Sequence, residues 1–367
     1  MASSLSQEGG ATYKSRIWQV DAAHRSCEAV ILVQSRFPEV MMRFIQSLYL
    51  AAGLLSVAVL SACQAAPAPE PVTAEAPPAR MTDVIEIREP GLIANYYPAA
   101  TANMPGPALL MVGGSEGGLS EGVAVEAEAL REEGISVLHL SFYRFEGQEQ
   151  NLELVPLERF DTALEWLFAR GEVDAGRVGI YGTSKGAEAA LITATRHPEL
   201  EAVVAIVPSS VSWTGINWDF DGREPEASWS LNGSPYPALP YGAFDYETGL
   251  YSLYANGLDA VDAHPETMIE VGRIEAPVFL VCGGSDALWP SCPMAEAVQA
   301  RAGAMDGPEV TVLSYPEAGH GVGGKPADRL DPETADAPLD WGGTRASNRA
   351  AQLDNWPKTV AFLKAAL

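Results

Sequence analysis

The sequence has few basic residues, no long apolar run and no internal repeat. The longest apolar run, residues 48–62, has 15 residues, whereas a membrane-spanning helix needs about 20. Lys and Arg number 23 against 48 Asp and Glu, for a net charge of −25. Because phosphate neutralisation dominates nucleic-acid binding, no nucleic-acid partner is expected, and the acidity is interpreted as a source of solubility. No repeat is visible along the chain.

The short apolar run predicts a secretory signal over residues 41–62. It follows Arg43 and ends in small residues, the pattern of a cleaved leader. The sequence LSAC at residues 60–63 resembles the lipobox of bacterial lipoproteins, which implies cleavage before Cys63 and lipidation of its thiol. We therefore expect a lipid-anchored protein of the bacterial cell envelope that faces the periplasm, and Gln64 favours the outer membrane. A buried helix or an uncleaved anchor is the alternative.

The chain on either side of this signal divides into three further parts. Residues 1–40 are interpreted as an upstream extension, with translation expected to start at Met41 or Met42. Residues 63–80, rich in Pro and Ala and without apolar periodicity, predict an extended tether. Residues 81–367 are long enough for one large domain with a sizeable core.

Two of the four cysteines, Cys282 and Cys292, lie in this predicted domain. They could pair in an oxidising periplasm, but their spacing alone cannot establish a disulfide. Since Cys282 ends a segment that looks like a buried strand, we expect two free thiols.

Short apolar segments alternate with amphipathic ones through the domain. The apolar segments predict buried strands at 108–112, 136–140, 177–181, 202–206, 277–281 and 309–313. Helical patterns lie between them, at 121–133, 156–171, 185–196 and 291–301. This alternation implies an α/β protein with a mainly parallel sheet and helices on both faces. Segments 83–88 and 92–97 add an antiparallel hairpin at the sheet edge, and the whole order is that of an α/β hydrolase fold.

A Gly-flanked serine stands where the strand around 177–181 runs directly into a helix. The stretch VGIYGTSKGAEAALITA, residues 178–194, contains the pattern G-x-S-x-G, with Ser184 at its centre. In a nucleophile elbow this pattern places the serine on a tight strand-to-helix turn, and the next backbone N–H points at the developing oxyanion. We therefore interpret Ser184 as a nucleophile and the Lys185 amide as an oxyanion donor, although glycines and serines also fill ordinary turns.

A serine nucleophile needs a base, and the base needs an orienting carboxylate. In this fold the chain order is Ser, acid, His, each on a loop after a strand. Asp286 follows the strand at 277–281, and His320 follows the strand at 309–313. His264 is expected at the surface, and His139 and His197 are expected to be structural. This chemistry requires no metal or cofactor, and neither is expected.

The Gly-rich loop after the strand at 108–112 is the expected source of a second oxyanion donor. The sequence LLMVGGSEGGLSEG, residues 109–122, lets the backbone approach a ligand closely. We expect the amide of Ser115 or Glu116 to contribute. A turn that merely connects strand to helix is the alternative.

Several stretches resemble the catalytic domain shared by acyl-CoA thioester hydrolases and bile acid-CoA:amino acid N-acyltransferases, a dienelactone-hydrolase-like branch of the α/β hydrolases. They include VPLERFDTALEWL, VDAGRVGIYGTSKGAEAAL, SWSLNGSPYPALPY, GGSDALWPS, YPEAGH and WGGTRASNRAAQLDNWPKTVAFL. The resemblance implies action on acyl thioesters, with Ser184, Asp286 and His320 as the triad. Such proteins commonly carry an N-terminal β-sandwich domain, which is not expected in this chain. The amino-acid-conjugating branch has a cysteine nucleophile, so serine favours transfer to water.

Residues 209–273 are interpreted as a cap insertion. They contain Trp213, Trp218, Trp229, Tyr236, Tyr241, Phe244, Tyr246, Tyr251 and Tyr254, which are expected either to line an acyl or aryl pocket or simply to pack the cap. The expected function is hydrolysis of small-molecule acyl thioesters through an acyl-enzyme. A carboxylic-ester hydrolase, an acyl transferase to an amine and an inactive surface-binding lipoprotein are the alternatives.

Overall fold

The computed structural model describes residues 83–100 and 104–367, so the predicted extension, signal, tether and Cys63 lie outside the described residues. The described strands are β1 (Ile85–Glu89), β2 (Leu92–Tyr97), β3 (Gly106–Val112), β4 (Ser136–Ser141), β5 (Val155–Pro156), β6 (Val173–Thr183), β7 (Ala202–Ile206), β8 (Trp229–Leu231), β9 (Ser234–Pro235), β10 (Val278–Gly283) and β11 (Val310–Tyr315). The described helices are α1 (Glu121–Glu132), α2 (Glu158–Phe168), α3 (Lys185–Ala194), α4 (Leu250–Leu258), α5 (Ser291–Ala304) and α6 (Arg345–Ala366). Within this part of the chain, no helix has the length and apolar content to cross a bilayer.

The main sheet has eight strands in the order β1-β2-β4-β3-β6-β7-β10-β11. β1 pairs with β2, and β2 with β4, in antiparallel register. Every other neighbouring pair in this sheet is parallel. The predicted α/β hydrolase fold and its edge hairpin are confirmed.

Alternate residues of the central strands enter two separate cores. In β3, Ala108 and Leu110 belong to one apolar cluster, whereas Leu109 and Met111 belong to the other. Helices α2, α3 and α5 contribute to the first cluster, and α1 and α6 contribute to the second. Because side chains alternate across a strand, burial of both faces requires the uninterrupted apolar runs seen in the sequence.

The C-terminal helix α6 is the longest described helix and is not among the predicted helices. It begins after Thr344, which accepts a hydrogen bond from the Ser347 N–H in a capping box. It contains Pro357, and its buried positions include the polar residues Asn348 and Asn355. This composition weakens the apolar periodicity by which amphipathic helices are recognised.

The expectation of two free thiols is wrong, because Cys282 and Cys292 form a disulfide with their Cα atoms 5.0 Å apart. Cys282 lies in β10 and Cys292 in the first turn of α5, and both are buried. The loop from β10 turns back into α5, and this return brings the two thiols together. The disulfide closes a short loop that contains Asp286 and Trp289.

The segment between β7 and β10 contains β8, β9, α4 and three short 3₁₀ turns. We refer to residues 209–273 as the cap. β8 pairs with β5, which precedes α2, and with β9, so that a second sheet of three strands forms here. A third apolar cluster, built from Val211, Trp213, Leu239, Trp289 and Met294, joins the cap to the loop and helix that follow β10.

Candidate active site

Ser184 lies at the junction of β6 and α3 with φ 56° and ψ −122°, a conformation that side-chain-bearing residues rarely adopt. Its N–H donates to the Ile206 carbonyl at 2.9 Å. A Cβ on Gly182 would overlap the Gly186 carbonyl, and a Cβ on Gly186 would overlap the Gly113 carbonyl. The glycines are therefore required by close backbone approach, as the elbow interpretation implies.

Ser184, His320 and Asp286 lie together. His320 Nε2 is 2.9 Å from Ser184 Oγ, and His320 Nδ1 is 2.9 Å from Asp286 Oδ2 and 3.1 Å from Asp286 Oδ1. The Asp286 carboxylate is 1% exposed and the His320 ring is 14% exposed. The ring can hold a proton on Nδ1 against a buried carboxylate while Nε2 faces the hydroxyl.

Further hydrogen bonds fix the positions of Asp286 and of the loop that carries His320. Asp286 Oδ1 accepts from the N–H groups of Leu288 and Trp289 at 3.0 and 3.3 Å. On the other side, the His320 N–H donates to the Trp341 carbonyl, and Asn348 of α6 accepts from the Gly319 N–H at 2.7 Å. Sequence reasoning missed Asn348, since nothing local to it indicates that α6 reaches the histidine loop.

The remaining histidines of the described chain lie elsewhere. His264 is 41% exposed and lies near Glu266. His139 is buried in β4, and burial lowers its pKa to about 4. His197 contacts Asp161 and Glu199 just after the end of α3. None of the three contacts Ser184, which agrees with their interpretation as surface or structural residues.

The Gly-rich loop passes directly over the serine. A Cβ on Gly114 would lie 3.0 Å from Ser184 Cβ and 3.4 Å from its Oγ. The Gly114 N–H is engaged by the Glu116 carboxylate at 2.9 Å. Ser115 and Lys185 line the same cavity as Ser184, and Glu116 lies in the same turn as Ser115.

Tyr143, two residues after the end of β4, supports this loop. Its hydroxyl donates to the Ser115 carbonyl and receives the indole N–H of Trp218 at 3.3 Å. Burial raises the Tyr143 pKa to about 12, so the hydroxyl keeps its proton at neutral pH. Sequence reasoning missed this residue, because it belongs to no motif and reaches the loop only through the fold.

A cavity of about 310 Å³ opens beside Ser184 and His320. Of the cap aromatics, Trp218, Tyr241 and Tyr254 line it, together with Phe220, which was not among the predicted aromatics. Trp213 and Trp229 are fully buried in packing contacts, whereas Phe244 and Tyr246 are 48% and 74% exposed. The structure therefore divides the cap aromatics into a subset that lines the cavity and a subset that does not.

A buried ion pair lies next to Ser184 in the first turn of α3. Lys185 Nζ is 2.6 Å from Glu188 Oε2, and both side chains are at most 2% exposed. Glu188 Oε1 also accepts from the Trp213 N–H at 3.0 Å and from Trp229 Nε1 at 2.7 Å. Glu188 thus joins the first turn of α3 to two residues of the cap. Its position three residues after Lys185 was the only sequence signal for this pairing.

Few cations face the cavity. The Lys185 charge is offset by Glu188, and Arg223 forms a bidentate pair with Glu153. Arg144 is exposed and stacks on Trp218, with its guanidinium carbon 4.9 Å from the ring centroid. Among the described residues, no group of three or more His, Cys, Asp or Glu side chains is arranged to bind a metal ion.

Comparison with known proteins gives the family. The human mitochondrial acyl-coenzyme A thioesterase 2 is 27% identical over 261 residues, which cover 70% of this chain and 52% of that protein. The mouse bile acid-CoA:amino acid N-acyltransferase is 27% identical over 268 residues, covering 71% of this chain and 60% of that protein. A crystal structure of a Klebsiella pneumoniae protein assigned as a dienelactone hydrolase covers 74% of this chain and 92% of that one, at 19% identity and a TM-score of 0.46.

This chain therefore spans little more than half the length of such relatives. Residues 155–367, which contain Ser184, Asp286 and His320, match the family described as BAAT / Acyl-CoA thioester hydrolase C terminal. The match covers more than half of the sequence, and the chain belongs to this family.

Proposed function

We propose that the protein is a serine hydrolase that cleaves acyl thioesters through an acyl-enzyme. The observation that carries the proposal is the continuous hydrogen-bonded line from Ser184 Oγ through His320 to Asp286, with 2.9 Å at both steps. Family membership supports the substrate class, because relatives in the family are named acyl-CoA thioesterases. The apolar cavity beside the serine offers a place for an acyl group.

In the proposed reaction, His320 Nε2 takes the proton of Ser184 as Oγ attacks the thioester carbonyl carbon. Asp286 keeps the Nδ1 proton in place and stabilises the imidazolium. Collapse of the tetrahedral intermediate breaks the carbon–sulfur bond, and His320 returns the proton to the departing sulfur. A water molecule, deprotonated by His320, then attacks the carbonyl carbon of the acyl-enzyme. The ester bond to Ser184 Oγ breaks, His320 returns the proton to Oγ, and the carboxylic acid leaves.

The negative oxygen of each tetrahedral intermediate needs two donors. We propose the Lys185 amide as one and the Ser115 or Glu116 amide as the other. The close approach of Gly114 to Ser184 and the brace from Tyr143 to Ser115 support this arrangement. Engagement of the Gly114 N–H by Glu116 argues against a role for that amide.

Labelling with a fluorophosphonate and hydrolysis of a thioester panel test the proposal. Ser184→Ala should abolish labelling and lower kcat by about 10³-fold or more, because the attacking atom is gone. His320→Ala should behave similarly, and His264→Ala, at an exposed position, should match the unmodified protein. Absence of labelling in the unmodified protein would favour a non-catalytic binding role, and equal losses in both histidine variants would contradict the assignment of the base.

We further propose that the natural substrate lacks a large polyanionic leaving group. The chain carries a net charge of −25, and two cations near the site, Lys185 and Arg223, are paired with carboxylates. Such a surface disfavours approach of the coenzyme A phosphates. Ser-His-Asp chemistry also cleaves oxyesters, so the leaving group is open to variation.

The measurement is kcat/KM for an acyl-CoA, an uncharged thioester and an oxyester of one acyl chain, at two salt concentrations. We expect no more than a small preference for the acyl-CoA. A preference of about tenfold, equal to about 1.4 kcal/mol, that weakens with added salt would overturn this part of the proposal.

A lipid-anchored location in the cell envelope is also proposed, on the leader and lipobox of residues 41–63. The Cys282–Cys292 disulfide supports it, since such bonds persist in oxidising compartments. Cys63→Ala should release the protein from the membrane fraction, and a fatty-acid analogue should label only the unmodified protein. Unlabelled protein recovered from the cytosol would refute the proposal.

A further inference from the structure

A wall of aromatic rings leads away from His320 into the cavity. The Trp289 ring lies 5.8 Å from the His320 ring and 5.4 Å from Tyr254, centroid to centroid. Tyr254 in turn lies 5.1 Å from Tyr241. Trp289, Tyr254 and Tyr241 all line the cavity, so an acyl group bound to Ser184 would extend along them.

Several polar side chains that line the cavity already have protein partners. Lys185 pairs with Glu188, Asn217 donates to Asp221 and accepts from the Asp219 N–H, and Trp218 donates to Tyr143. Tyr241 donates to the carbonyls of Thr214 and Gly215. Trp289 Nε1, by contrast, is buried without a partner in the described chain. An indole N–H is a neutral donor and does not offset the charge of a carboxylate.

The cavity also has a limited size. At about 310 Å³ it has about twice the volume of an apolar protein cavity of ~150 Å³ that holds a benzene molecule. On that scale it accepts roughly twelve non-hydrogen atoms, and the thioester group takes some of this space. Its exposed end is marked by Phe220 and Leu250, which are 58% and 53% exposed.

We propose that the cavity selects uncharged acyl chains of roughly eight to ten carbons and rejects acyl groups that carry a second carboxylate. This selection rests on the proposed hydrolysis at Ser184. An uncharged chain replaces water against the apolar wall. A terminal carboxylate would lose its hydration and meet no unpaired cation among the residues that line the cavity, since Lys185 is paired with Glu188 and the exposed Arg144, stacked on Trp218, is not a lining residue.

A panel of thioesters with one small uncharged thiol, N-acetylcysteamine, tests the selection without any effect of coenzyme A. The acyl groups are acetyl, octanoyl, decanoyl and palmitoyl, with suberoyl as the dicarboxylic partner of octanoyl. We expect kcat/KM to be highest for octanoyl or decanoyl and about tenfold or more lower for acetyl and palmitoyl. Suberoyl should be about 100-fold or more below octanoyl.

Two variants assign the selection to the cavity. Leu253→Trp narrows the cavity and should move the optimum of kcat/KM to shorter acyl chains, while fluorophosphonate labelling at Ser184 persists. Leu250→Trp, at the exposed end, should have the same direction of effect if Leu253→Trp fails to fold. The matched control is Leu353→Trp, since Leu353 is 49% exposed on α6 and does not line the cavity.

The outcomes separate the two proposals. Loss of labelling together with no hydrolysis of any thioester would overturn hydrolysis at Ser184. Labelling and hydrolysis with a flat chain-length profile, with an optimum at palmitoyl, or with equal rates for octanoyl and suberoyl would overturn the selection alone. An unchanged optimum of acyl chain length in a folded Leu253→Trp or Leu250→Trp variant would also overturn the selection.

Discussion

The central sheet and the cap are stabilised in different ways. Strands such as β3 and β7 are short apolar segments with both faces buried. They pair in the sheet with other apolar strands of the same kind. The cap has two short strands and one helix, and its rings contact residues far away along the chain. Trp229, for example, donates to Glu188, which lies 41 residues earlier. Burial of apolar area builds the sheet, whereas specific polar and aromatic contacts attach the cap.

Glu188 is where the two regions meet, and removing its carboxylate should have the largest effect on stability. Glu188→Ala leaves the Lys185 charge buried without its partner, so the free energy of unfolding should fall by about 3–5 kcal/mol. Glu188→Gln should lose less, because the amide oxygen still accepts from Trp213 and Trp229. Urea denaturation gives both values.

The control for this test is Asp354→Ala, which breaks the exposed pair between Asp354 and Lys358. It should change the free energy of unfolding by no more than about 1 kcal/mol. Similar losses in Glu188→Ala and Asp354→Ala would mean that the buried pair does not join the regions.

Within the cap, Trp213 and Phe244 should differ sharply. Trp213 is fully buried against Tyr241 and Tyr254, so Trp213→Ala should cost about 3–5 kcal/mol of stability. Phe244 is 48% exposed, and Phe244→Ala should stay within about 0.5 kcal/mol. Chemical denaturation measures both, and equal costs would contradict the division of cap aromatics into packing and surface groups.

On the sheet side, the disulfide should contribute less. It closes a loop between cysteines 10 positions apart, for which chain entropy predicts about 2–3 kcal/mol of stabilisation. Reduction, or the double change Cys282→Ala and Cys292→Ala, should therefore lower Tm and loosen the loop that carries Asp286. A reductant should not affect the double variant, and an unmodified protein with two titratable thiols under native oxidising conditions would refute the bond.

An effect that depends on pH concerns Glu126 of α1, whose pKa is raised to about 7 by burial. The folded state then binds this proton more tightly than the unfolded state does. The contribution is present below about pH 4.5 and is lost as pH rises through about 7. Relative to Glu126→Gln, the unmodified protein should lose about 5–10 °C of Tm over that range, since a pKa of about 7 against 4.5 corresponds to about 3 kcal/mol. Glu132→Gln, at an exposed position of α1, should show the same dependence of Tm on pH as the unmodified protein. If Glu126→Gln also shows that dependence, the raised pKa of Glu126 is contradicted.

Much of the sheet could be predicted because its strands satisfy local rules. The elbow was recognisable because G-x-S-x-G lies between a strand and a helix, and Asp286 and His320 follow strands in the expected order. The disulfide was missed because it depends on how the loop after β10 returns into α5. A spacing in sequence does not reveal that return.

The sequence by itself determined the alternation of core strands and helices, the elbow and the three residues that meet at the site, because apolar periodicity and turn chemistry act over a few neighbouring residues. Only the tertiary structure decided which cap aromatics line the cavity, that Lys185 is neutralised by Glu188, and that Tyr143 and Asn348 hold the loops that carry Ser115 and His320. These contacts join residues distant along the chain, and their partners are chosen by packing geometry rather than by local propensity.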